Sequence, residues 1–172
     1  GVSGRGSPLG GGLELRRELD RLVLVPEPSR GDDAPLLIPG PGPGSGTARL
    51  GGRRVKVRWS PHGRAPEVAG RSGAHAPVEV VLPVREIAFP LLVRGRRRGD
   101  RIDVWGGTRR VKRLLQDARV PSLERAGVPI VVDAGGRVLW IPGVAEWSGA
   151  EPAGADADSA PAETISITVE AE

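Results

Sequence analysis

Cysteine and methionine are both missing from this 172-residue chain, and lysine occurs only at Lys56 and Lys112. Without cysteine there is no disulfide framework, no thiolate-ligated zinc and no thiol nucleophile. No apolar run nears the roughly 20 residues of a membrane span, and no basic-then-apolar leader marks a secretory signal. A soluble, cytoplasmic chain is the expectation. The missing Met, together with an opening (Gly1 to Pro8) that reads as the interior of a linker, suggests a piece of a longer protein. Hydrophobic residues are also scarce, at 38%.

What is abundant is glycine and proline, 26 and 17 residues, one quarter of the chain. Such a fraction predicts that part of the length is linker and not packed core. Arginine is abundant too. With two lysines among 25 basic residues, Arg outnumbers Lys 23 to 2. GC-rich coding accounts for the overall bias, but the local distribution needs a physical reason. Arg94 to Arg119 holds ten basic residues against Asp100, Asp103 and Asp117, a net +7, whereas Ala145 to Glu172 holds seven acidic residues and no basic one. A basic block followed by an acidic tail predicts an anionic partner, with the tail as a solvating appendage.

Hydrophobic periodicity divides the chain. Residues 1–52 read as an N-terminal linker carrying a short hairpin at 13–25, and the Gly/Pro-rich stretch Pro26 to Thr47 as a connector. Residues 53–88 read as strands and a flexible loop leading into a domain. Here Val55, Val57 and Trp59 alternate with Arg54, Lys56 and Arg58, as in a half-buried strand. Residues 89–144 carry the densest signal. A turn at Gly99-Asp100 leads into a strand at Arg101–Trp105. Thr108 is placed to cap a helix in which Val111, Leu114, Leu115 and Ala118 share one face. Pro129–Val132 and Val138–Ile141 then flank a glycine-containing hairpin loop. Residues 145–172 read as an acidic, mostly disordered tail, with Thr164–Val169 able to return as one edge strand. The fold class expected is α+β: a small mixed-strand module with one main amphipathic helix, plus linkers and tail.

Catalytic chemistry is hard to find. His62 and His75 lie in loop-like stretches without ligand spacing, and no serine stands on a strand–helix elbow. No metal site and no catalytic residue are assigned. The basic block carries the binding chemistry instead. Arg109 and Arg110 are expected in the first helical turn, where the dipole disfavours cations, with Lys112 and Arg113 beside them. Arg96, Arg97, Arg98 and Arg101 lie on the preceding turn. Clustered guanidinium groups at a helix start make a site for phosphate oxygens. Trp105 and Trp140 are strand positions, and burial is the expectation for both.

Six short motifs lie in register within this block: Phe89-Pro-Leu-Leu-Val93, Arg97-Arg-Gly-Asp-Arg101, Gly106-Gly-Thr-Arg-Arg110, Asp117-Ala-Arg-Val-Pro121, Val128-Pro-Ile-Val-Val-Asp133 and Leu139-Trp-Ile-Pro-Gly143. Together they resemble the C-terminal domain of bacterial tRNA(Ile)-lysidine synthase, a PheT/TilS-type α+β domain. Arg109-Arg110 stands where the family has two lysines, and Arg113 replaces its usual acidic residue. The resemblance implies an enzyme that uses ATP to attach lysine to the wobble cytidine of an isoleucine tRNA. The family's ATP-binding Ser-Gly-Gly-x-Asp-Ser loop is absent from these residues. This chain would therefore hold no cofactor and form no bond, and would supply tRNA grip through Arg96, Arg97, Arg98, Arg101, Arg109, Arg110, Lys112 and Arg113. The alternative is a stand-alone, non-catalytic RNA- or anion-binding module, or a remnant of one.

Overall fold

Chain reversals at short glycine turns and long-range strand pairing dominate the architecture. The computed structural model describes residues 33–62, 78–149 and 163–171, and the backbone of three earlier strands. Those three, β1 (Gly6–Gly10), β2 (Leu13–Glu18) and β3 (Arg21–Pro26), form an antiparallel sheet. β2 and β3 are the hairpin expected from the sequence. Two larger sheets follow. One has the order β5 (Gly44–Leu50), β6 (Arg53–His62), β14 (Thr164–Ala171), β7 (Val78–Pro83). The other has seven strands. Its path runs β10 (Gly107–Arg110), β9 (Arg101–Val104), β12 (Val138–Ile141), β11 (Ile130–Val132), β8 (Leu91–Arg94), β4 (Leu36–Ile38), and β13 (Ala145–Glu146) pairs with β12. Among the described residues one α-helix, α1 (Val111–Asp117), and a 3-10 turn at Val84–Glu86 complete the set, and the fold is α+β.

The middle of the seven-stranded sheet is buried on both faces. Against the four-stranded sheet it packs Leu91, Val93, Val131, Leu139 and Trp140, which meet Leu50, Val57, Ile165 and Ile167. On its other face Ile102, Ile130, Val132, Val138 and Ile141 meet Val111 and Leu115 of α1. The layers are therefore sheet, sheet, helix. Strict alternation would put the neighbours Leu139 and Trp140 on opposite faces. The register breaks there, since Val131 pairs Trp140 and Val132 pairs Val138, leaving Leu139 unopposed. That bulge turns both side chains toward the same core.

Two expectations are corrected. The stretch Pro26 to Thr47 is not a linker throughout: Leu36–Ile38 pairs with β8 and Gly44–Leu50 with β6. Leu36–Ile38 forms because the distant β8 offers an open ladder, and Gly44–Leu50 because the Gly51-Gly52 turn folds β6 back onto it; their own composition gives little sign of either. Gly44 is needed where it stands, because a Cβ there would lie 2.4 Å from the Trp59 ring. The tail strand is likewise not at an edge. β14 lies between β6 and β7, with Ile165, Ile167 and Val169 in the core. The expectation of disorder over residues 150–162 lies outside the described residues. Among the described residues no helix is long and apolar enough to cross a membrane.

Candidate anion-binding groove

The basic block is organised around a buried ion pair. Strand β8 ends at Arg94, which is buried, and its guanidinium meets Asp100 in a two-pronged contact, 2.9 Å on each side. Asp100 also accepts the backbone N–H of Arg97 at 2.6 Å, and Arg94 donates to the Gly95 carbonyl at 2.9 Å. Burial works against the Asp100 charge. The Arg94 hydrogen bonds, the Arg97 N–H and the positive charges of both arginines outweigh it, and hold the carboxyl below its usual 3.8. This clamp ties down the Gly95–Gly99 loop and neutralises Asp100.

Around the clamp, Arg96, Arg97, Arg98, Arg101, Arg110 and Lys112 line a single groove of about 700 Å³, together with Gly99 and Asp100. Arg101 and Arg110 are direct cross-strand partners in the β9–β10 ladder. Like charges placed opposite each other repel, and an anion between them would relieve that repulsion. The Nε of Arg96 is buried and has no hydrogen-bond partner among the described residues. Arg98, Arg101, Arg110 and Lys112 make no ion pair among the described residues either. The groove is thus a cluster of cations whose only lining carboxylate is already neutralised.

The geometry invites comparison with known proteins. Residues 91–158 match the family model described as the TilS substrate C-terminal domain. A solved structure titled as the crystal structure of the TilS C-terminal domain superposes with a TM-score of 0.56 and 28% identity, covering 80% of this chain and 97% of that one. The chain carries a TilS C-terminal region. Proteins named tRNA(Ile)-lysidine synthase are similar over the same part. The Geobacillus kaustophilus protein is 46% identical over 66 residues, 37% of this chain and 14% of that protein. The Bacillus subtilis protein is 39% identical over 72 residues, 41% and 15% of the two chains. The chain therefore matches only about a seventh of the length of these curated relatives.

Within the TilS C-terminal region, six of the eight cations singled out from the sequence share the groove, and Arg109 and Arg113 do not line it. Arg113 pairs with Asp117 one helical turn on, at 3.3 Å, with both side chains exposed. The expected helix start at Thr108 is also corrected. Gly107–Arg110 is a strand antiparallel to Arg101–Val104, and α1 begins at Val111 with Arg110 as its N-cap. The reason is the Trp105-Gly106 turn. It folds the chain straight back, and ladder hydrogen bonds take up backbone groups that a helix end would leave unpaired. Thr108 then bonds the Asp103 carboxylate across the ladder at 2.5 Å and caps nothing. Arg109 accordingly lies outside the helix, whereas Arg110 sits at its N-cap and is crowded by Arg101 across the ladder as well.

Trp140 is in the core, as expected, at 1% exposure. Trp105 is the reverse, at 83%. Strand alternation hid this position, because the residue lies in the turn after β9 and not in the strand. The glycine pair that follows it is the signal that marks the turn.

Proposed function

We propose that the groove grips the phosphate backbone of an isoleucine tRNA. On this reading the chain is the C-terminal, tRNA-positioning part of the ligase that attaches lysine to the wobble cytidine with ATP. One observation carries it: six cations converge on one groove whose only lining carboxylate is held by buried Arg94. Guanidinium forks match phosphate oxygens in geometry and charge. The relatives' name, tRNA(Ile)-lysidine synthase, supplies the polyanion. The five arginines of the groove bind and do not react, since they stay protonated and serve as neither base nor nucleophile.

Arg101→Ala/Arg110→Ala tests the proposal in the full 172-residue chain, with tRNA affinity measured over a range of salt concentrations. If each arginine holds one phosphate, the log–log salt slope falls by roughly 0.7–0.9 per arginine. Lys56→Ala/Arg58→Ala, on the other large sheet, is the control and should leave the slope as it is. An unchanged slope in the first double variant with a reduced slope in the second would move the grip to the four-stranded sheet.

A further inference from the structure

The tip of the β9–β10 ribbon carries a side chain that the fold does not use. Trp105 and Gly106 form a two-residue turn between Val104 and Gly107, which pair with each other. Gly106 and Gly107 take φ of 89° and 116°, so the glycines meet the demands of the reversal. The first turn position accepts most residues. A tryptophan there buries nothing, whereas Trp140 lies in the core and Trp59 and Trp147 pack against it. Leu37 and Trp105 are the exposed large hydrophobics among the described residues. Trp105 stands without a folding reason.

Its surroundings are open, with Thr108 and Asp103 next along the ribbon and the cations at the ribbon's far end. All four residues of β10 are exposed, with Arg109 and Arg110 at one end and the tryptophan turn at the other. Arg101 and Arg110, which line the groove, lie four and five residues from Trp105. At about 3.4 Å per residue the indole stands roughly 14–17 Å along the ribbon from them. A polyanion seated in the groove and running along the ribbon would reach a flat aromatic surface. Bases inside a duplex already have both faces covered. An unpaired base does not, and every base has a π-face.

We propose that Trp105 stacks on an unpaired base of the RNA whose phosphates the groove holds. The inference rests on the phosphate reading above and adds to it a contact of a different physical kind. Stacking is neutral. Its loss weakens binding without changing the number of counterions released, whereas loss of Arg101 or Arg110 changes that number.

The test uses the full chain and two RNA probes that share one duplex stem, one blunt and one with a short single-stranded extension. Affinities are measured across salt for wild type, Trp105→Ala, Trp105→Phe and Arg101→Ala/Arg110→Ala. Trp105→Ala should weaken the extended probe about tenfold, leave the blunt probe unchanged and keep the wild-type salt slope. Trp105→Phe should recover most of the loss, which excludes misfolding as its cause. The arginine double variant should flatten the slope on both probes. Equal affinity of Trp105→Ala and wild type for the extended probe would overturn the stacking, as would an equal loss on both probes. A wild-type dimer dissolved by Trp105→Ala, with RNA binding intact, would assign the indole to a second copy and overturn it too. If the arginine variant keeps its slope while Trp105→Ala still separates the probes, the groove reading fails and the stacking stands. Failure of the wild type to bind either probe would refute both.

Discussion

Strands β12 and β10 lie two places apart in one sheet and have opposite fates. Every residue of β12, Val138 to Ile141, is buried between the second sheet and α1, and every residue of β10, Gly107 to Arg110, is exposed. Both strands pair with β9, β10 antiparallel at the sheet edge and β12 parallel with β11 on its other side. What separates them is coverage: α1 and the four-stranded sheet sandwich the middle of the large sheet and leave its β10 edge uncovered. Side chains at the centre are committed to packing, and side chains at the edge remain available to a ligand. The binding chemistry proposed here lies where the packing stops.

Substitutions on the two strands should break that contrast apart. Trp140→Ala removes a fully buried ring and should cost about 3–5 kcal/mol in urea unfolding. Arg109→Ala on β10 should stay within about 0.5 kcal/mol of wild type. A comparable loss at Arg109 would show that the edge is structural after all. The ion pair between centre and edge should come next in size. Asp100→Ala strands a buried guanidinium and should cost about 3 kcal/mol.

Asp100 also makes a pH prediction. Its folded-state pKa is lowered, so its contribution is complete above the unfolded value and is lost as pH falls through the lowered one. Wild-type melting temperature should therefore drop at acid pH more steeply than that of Asp100→Asn. Parallel curves would mean that the clamp contributes nothing to acid stability.

One substitution should bring a gain. Helix α1 ends in a backbone pattern in which Arg119 donates to the Gln116 carbonyl and Val120 to that of Leu115, with Arg119 at φ 56°. Glycine adopts that left-handed conformation without the Cβ penalty. Arg119→Gly should raise unfolding stability by about 1 kcal/mol. Arg119 does not line the groove, so RNA affinity should be unchanged.

Much of this was legible in the residues themselves. The alternation of Val55, Val57 and Trp59 marks β6, and the spacing of Val111 and Leu115 marks the buried face of α1. Asp133-Ala-Gly-Gly136 marks the β11–β12 turn, where Asp133 accepts the Arg137 N–H at 2.9 Å and its charge meets the Arg137 guanidinium at 3.0 Å. The clustering of cations over Arg96–Lys112 was equally visible. Less visible were β4 and β5, short and set among glycines and prolines, and β14, separated from both its partners by low-complexity chain. β4 and β14 are held by ladders to residues remote in sequence, and β5 by a hairpin to β6 through Gly51-Gly52.

Local chemistry determined which elements can form and which side chains carry charge, because periodicity, turn glycines and guanidinium groups are properties of neighbouring residues. Tertiary structure alone decided that Arg101 faces Arg110 across a ladder, that buried Arg94 takes up Asp100, and that one tryptophan is core while another stands in solvent. Residue type sets what an indole or a guanidinium is able to do. Where each ends up depends on which strands find open edges and which faces are covered, and those pairings are made between residues far apart along the chain.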